Sequence, residues 1–161
     1  MPIVLGAERR RRLQEFGFAP ALIDALDAGS PLWADTGEVL AEIAELDAVR
    51  AMLPPGYIVP VCHLDESEVH YVLLVGDELL ELHPEFTEPI HGGVLGFLTE
   101  GLVRAYEREE DEHALISWAN AVGYPDADTL LREAATSRSH EQHRAWLRGF
   151  VDRLHAARSP S

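Results

Sequence analysis

The feature that most constrains this chain is a change of hydrophobic period partway along it. Up to Leu53, apolar residues return every third or fourth position. Between Tyr57 and His83 they fall instead into short β-branched and aromatic runs bounded by turn formers, and beyond Pro89 the helical spacing resumes. A chain that reads helix, strand, helix must bury a small sheet beneath helices. The expected class is therefore α+β, with an antiparallel sheet of three or more strands flanked by N-terminal and C-terminal helices.

The segments can be placed more closely. Helices are expected over Ala7–Phe16 and after Pro20, the second carrying Leu22, Ile23 and Leu26. Asp35 and Glu38 form a capping-box pattern opening a third helix, whose stripe is Val39, Leu40, Ile43, Leu46, Val49 and Leu53. Pro54-Pro55-Gly56 ends it, because proline has no N–H to donate. Strands are expected over Tyr57–His63, Val69–Val75 and Leu79–His83, joined by an Asp65-Glu66-Ser67 loop and a tight Gly76-Asp77 turn. One apolar face of this sheet is expected to be covered by the helices. Helices then recur over 94–106 and 115–122 and after Asp126. A second capping box, Ser139 with Gln142, opens a last helix holding Trp146, Leu147, Phe150, Val151 and Leu154. Trp118, Trp146 and Phe150 are expected in the core. Without a repeat or a low-complexity linker, residues 1–161 read as one α+β domain with a frayed tail at 158–161.

Charge narrows the partner class. The 161 residues carry 28 acidic side chains against 13 basic ones, all arginine, for a net charge of −15. A hydrophobic content of 47% excludes wholesale disorder. Binding to phosphate backbones needs clustered positive charge, so nucleic acid is not the expected partner. No apolar run is long enough to span a membrane, and Arg9 to Arg12 sit where a signal peptide would be apolar. With a single cysteine, no internal disulfide can form, and a reducing, cytoplasmic setting is expected. The four arginines point all round their helix and are expected to pair with the acidic middle of the chain. That acidity gathers at Asp65, Glu66 and Glu68, at Asp77 and Glu78, and at Glu109, Glu110, Asp111 and Glu112. These nine are the candidate partner-binding residues, since a strong field speeds encounter with a basic partner.

Catalytic chemistry finds little support. Cys62 and His63 are adjacent on a strand, so their side chains point to opposite faces and cannot form a thiolate–imidazolium pair. Neither HExxH, CxxC nor GxSxG occurs, and the His91-Gly92-Gly93 loop lacks both the further glycines and the lysine of a phosphate loop. No catalytic residue, metal ligand or cofactor is assigned. His140 and His143, three apart at a helix start, leave one alternative open: a small metal-dependent enzyme that uses them with carboxylates. His63, His70, His83 and His91 could converge only if the sheet brings them together.

A family likeness adds to this reading. Leu53-Pro54-Pro55-Gly56-Tyr57, after an amphipathic helix and before a strand meander, resembles the Leu-Pro-x-x-Tyr turn of the SUKH superfamily. The stretch Val69 to His83 is similar to that family's strand–turn–strand core, and Phe97-Leu98 fits its following helix. The likeness covers roughly residues 36–106; the helix and Asn-Gly turn that many members carry after the tyrosine are missing. It implies an α+β fold and, in bacteria, an immunity protein that neutralises a cognate toxin, often a nuclease or deaminase. A regulatory or scaffold module, as in some eukaryotic members, is the other implied role.

Overall fold

A computed structural model describes residues 3–28, 32, 53, 55–64, 70–136 and 138–158. The expected helix from Asp35 to Leu53 and the 65–69 loop, with Asp65, Glu66 and Glu68, lie outside these, apart from Leu53 itself. The described elements are those of an α+β protein. The chain divides into two compact units, Met1–Ile90 and His91–Ser161.

In the first unit, α1 (Gly6–Phe16) and α2 (Pro20–Ala28) precede four strands: β1 (Ile58–His63), β2 (Tyr71–Val75), β3 (Glu78–Leu82) and β4 (Thr87–Pro89). They form one antiparallel meander in the order β1-β2-β3-β4. The Gly76-Asp77 turn is the tight one expected: Gly76 has φ 61°, and Val75 pairs directly with Glu78. β4 is not announced by the sequence, being a three-residue, half-exposed edge strand that contains a proline.

The sheet departs from the expected single apolar face. β1 and β2 are buried at every position, and β3 at all but its first. The cause lies in Val72-Leu73-Leu74-Val75, where consecutive apolar residues supply both faces at once. On one face Ile58, Tyr71, Leu73, Val75, Leu80 and Leu82 form a core cluster with Leu53. The register places Cys62, Val72, Leu74, Leu79 and Glu81 on the other.

β1 is an edge strand, and the N-terminal segment closes it. Ile3 bridges to Ile58 in parallel, and the Val4 N–H donates to the Ile58 carbonyl at 2.9 Å. The register slips between Pro60 and Cys62, leaving Val61 as a bulge. Pro60 fits this edge, since a proline has no N–H to give a neighbouring strand.

In the second unit, α3 (Gly93–Glu107), α4 (Glu112–Ala121), α5 (Ala127–Ala134) and α6 (His140–Arg158) pack around α3, which buries Leu95, Phe97, Leu98, Leu102 and Val103. The Ser139–Gln142 capping box is reciprocal: the Gln142 N–H donates to Ser139 Oγ at 3.2 Å, and the Ser139 N–H to Gln142 Oε1 at 3.0 Å. Phe150 is buried as expected, but Trp118 and Trp146 are only half-buried. The Trp146 indole needs an acceptor, and its N–H donates to Glu133 at 3.0 Å at the surface. Gly92, before α3, has φ 83°, and a β-carbon there would lie 2.2 Å from Val151 Cγ1 of α6. Gly92 thus serves close packing of the loop against α6, while Gly93 (φ 63°) has open space around it and is set by its positive φ alone. No helix among the described residues is long and apolar enough to cross a membrane.

Candidate functional site

The arginines do not go where the sequence suggests. Arg9 is buried and donates from Nε to the Pro60 carbonyl (2.7 Å), from Nη2 to the Val61 carbonyl (3.2 Å) and from Nη1 to Asp27 (3.0 Å). Arg10 pairs with Asp24 at 2.8 Å, Arg11 with Glu8 and with Glu15, and Arg12 with Glu8 at 3.1 Å. These carboxylates belong to α1 and α2, not to the acidic middle. Short range decides the outcome: i,i+3 and i,i+4 partners on the same helix meet without ordering any extra chain. The two guanidinium bonds hold the Glu8 carboxyl well down, to about 2.

The acidic candidates are consequently left exposed. Asp77 and Glu78 lie at the β2–β3 turn, and Glu109, Glu110, Asp111 and Glu112 lie between α3 and α4. Among the described residues, no basic side chain pairs with Asp77, Glu78, Glu109, Glu110 or Glu112. Asp111 caps α4 by accepting the His113 N–H at 3.1 Å, so it is partly structural. Asp77 borders a groove of about 250 Å³ together with Arg12, Glu15, Phe16, Val59, Leu74 and Gly76. Tyr57 is 48% exposed, and its carbonyl accepts the Gly76 N–H at 3.4 Å, which sets an amphipathic ring beside this turn.

Glu109 has φ 64°. Its N–H reaches the Tyr106 carbonyl at 3.0 Å, while the Glu110 N–H reaches that of Ala105 at 3.2 Å. This pair of bonds is a Schellman motif ending α3, with Glu109 at the left-handed position that glycine ordinarily fills. A side chain there is disfavoured by about 1 kcal/mol.

The histidines separate into distinct environments. His140 is exposed, and His143 faces Glu107 at 4.0 Å and the Trp146 ring, so this pair gathers no third ligand among the described residues. His63 is buried and stacks on Tyr71 at 4.6 Å; His91 pairs with Asp152 at 2.7 Å in the helical unit. His70 and His83 do converge. Their rings stack at 4.7 Å, and both Nε2 atoms approach one Glu81 oxygen, at 2.5 and 3.8 Å. Glu88, opposite Glu81 on β4, lies 3.2 Å from His83 Nε2. Glu81 is only 7% exposed.

This grouping was available in the sequence. A two-residue turn at 76–77 places each β2 residue opposite a computable β3 residue, which puts His70 against His83 and Val72 against Glu81. Alternation then carries Glu81 and His83 to the same face. No family model matches the chain, and no curated protein and no solved structure matches it significantly.

Proposed function

We propose that this chain is a non-catalytic binding protein that neutralises a basic protein partner, specifically a cognate bacterial toxin of nuclease or deaminase type, through its exposed acidic turns. One observation carries the reading. The arginines of α1 are already committed to Glu8, Glu15, Asp24, Asp27 and backbone carbonyls, so the acidity of Asp77, Glu78, Glu109, Glu110 and Glu112 is not cancelled locally. Each unit thereby presents its own uncompensated acidic turn to solvent. Glu109 supports the same use, because a carboxylate is retained where glycine would be more stable. The likeness of residues 36–106 to SUKH immunity domains points in the same direction.

The mechanism is electrostatic capture followed by anchoring. Uncompensated carboxylates raise the encounter rate with a basic surface, and salt abolishes that gain. Affinity then depends on a few desolvated anchors, for which exposed Tyr57 beside Asp77 is suited. A toxin that acts on nucleic acid carries the basic cleft such a surface would occlude.

Co-expression with the products of neighbouring genes is the test. One of them should arrest growth alone and be tolerated when this chain is present. D77N/E78Q and E109Q/E110Q/E112Q should each slow association, and the slowing should disappear at high salt. If no neighbouring product is toxic, or if none of the toxic ones is relieved, the reading fails.

A further inference from the structure

We propose that His70, Glu81 and His83 form a binding site for a single zinc-class divalent cation, with Glu88 placed to complete the coordination. One ligand atom from each of the three residues lies within 4.8 Å of the others. Nε2 of His70 and Nε2 of His83 stand 2.5 and 3.8 Å from the same Glu81 oxygen. Around tetrahedral zinc, with bonds of about 2.0–2.1 Å, neighbouring ligand atoms are roughly 3.3 Å apart. The observed separations fall on either side of that figure. Side-chain adjustments of about 1 Å therefore admit an ion while the strand ladder stays in place.

The chemistry of the donors selects the ion. Two imidazoles and one carboxylate form a mixed nitrogen and oxygen set, which suits zinc and related transition ions better than magnesium or calcium. Zinc has no electronic preference for geometry and tolerates a set fixed by strand register. The register also makes the site rigid. The His70 and His83 rings stack on each other, Glu81 faces Glu88 across the strands, and Phe86 stacks on the His83 ring at 4.3 Å, so each ligand is held by a neighbour. A carboxylate this deeply buried is unfavourable unless balanced by positive charge. A divalent ion held between Glu81 and the two imidazoles would supply that charge. Closure by Glu88 (38% exposed) would tie the short edge strand β4 to the centre of the sheet. The site involves none of the acidic turns, so metal loading and toxin neutralisation can be measured separately.

The experiment uses the full chain, stripped with a chelator and titrated with zinc against a chromophoric competitor. One equivalent should bind with submicromolar affinity and raise the unfolding midpoint by several degrees. Cobalt in its place should give the visible absorption of a tetrahedral ion, with no thiolate charge-transfer band. H70A and H83A should each weaken zinc binding by about 100-fold or more, whereas H140A and H143A should leave it unchanged. E81Q keeps the shape of the side chain. Loss of zinc binding in E81Q, with an unaltered metal-free midpoint, separates a lost ligand from a lost fold. The assignment is overturned by absence of stoichiometric binding, by binding that survives E81Q and H83A, or by a cobalt–thiolate band placing the ion at Cys62.

Discussion

Among its described residues, the first unit holds two buried charged groups, Arg9 and Glu81, and they are stabilised in different ways. Arg9 is 5% exposed and donates to the Pro60 and Val61 carbonyls, fixed acceptors of the strand, as well as to the half-exposed Asp27. Glu81 is similarly buried, but the groups crowding its oxygen are imidazoles from His70 and His83, side chains that can also ligate a metal ion. The contrast teaches that burial alone does not mark a structural charge. A charge held by backbone belongs to the fold under all conditions. One held by metal-ligating side chains depends on what else is bound there.

The largest effect expected from this contrast is at Arg9. R9A leaves two buried carbonyls unsatisfied at a bulge and should lower stability by about 3 kcal/mol in chemical denaturation. A loss under about 1 kcal/mol would break the comparison at once. Next comes Glu109, where E109G relieves a left-handed side chain and should stabilise the helical unit by about 1 kcal/mol. The same substitution should slow partner association, separating charge kept for binding from charge kept for folding.

Glu133 sharpens the comparison as an intermediate case. It accepts from the Trp146 indole at 3.0 Å and from Arg153 at 3.1 Å, and these bonds, the indole first, hold its carboxyl below the ordinary value of 4.5. Its side chain is 31% exposed, so screening trims the effect, and E133Q should cost about 0.5–1 kcal/mol. A lowered folded value means the contribution is complete above about pH 4.5 and disappears as pH falls through the lower one. The difference between wild type and E133Q should accordingly shrink in acid, measured by denaturation at a series of pH values. The smallest effect is expected at Glu81 without metal. There E81Q should shift stability by less than about 1 kcal/mol, since neutralising a buried carboxylate offsets the altered hydrogen bonds. A loss as large as that of R9A would make the histidine cluster structural.

Much of this fold could be read from residues alone, for definable reasons. The strand meander was legible because Gly76-Asp77 fixes a two-residue turn and because Val, Tyr and Leu runs flank it. The helix start at Ser139 was legible from its capping box with Gln142. β4 was not, since Thr87-Glu88-Pro89 is too short and polar to form a pattern and depends on β3 for its definition. The second buried face was missed for a related reason: a run of four apolar residues has no alternation to read. The arginine pairing is not legible from charge summed over long stretches of chain, because ion pairs form between neighbours on one or two helices. The His70–Glu81–His83 group needs both the turn register and the sheet alternation, and neither alone reveals it.

The strap formed by Ile3, Val4 and Arg9 along β1 has a consequence for colloidal behaviour. An edge strand with free carbonyls is a template for another chain, and here those of Ile58, Pro60 and Val61 are already taken. At the opposite edge, Pro89 limits what β4 can offer. The sheet is thus stoppered at one end by a tethered segment and at the other by brevity and a proline. Clipping the chain before Leu13 would unstopper β1 and convert a loss of stability into strand-by-strand polymerisation, visible as light scattering that climbs steeply with concentration.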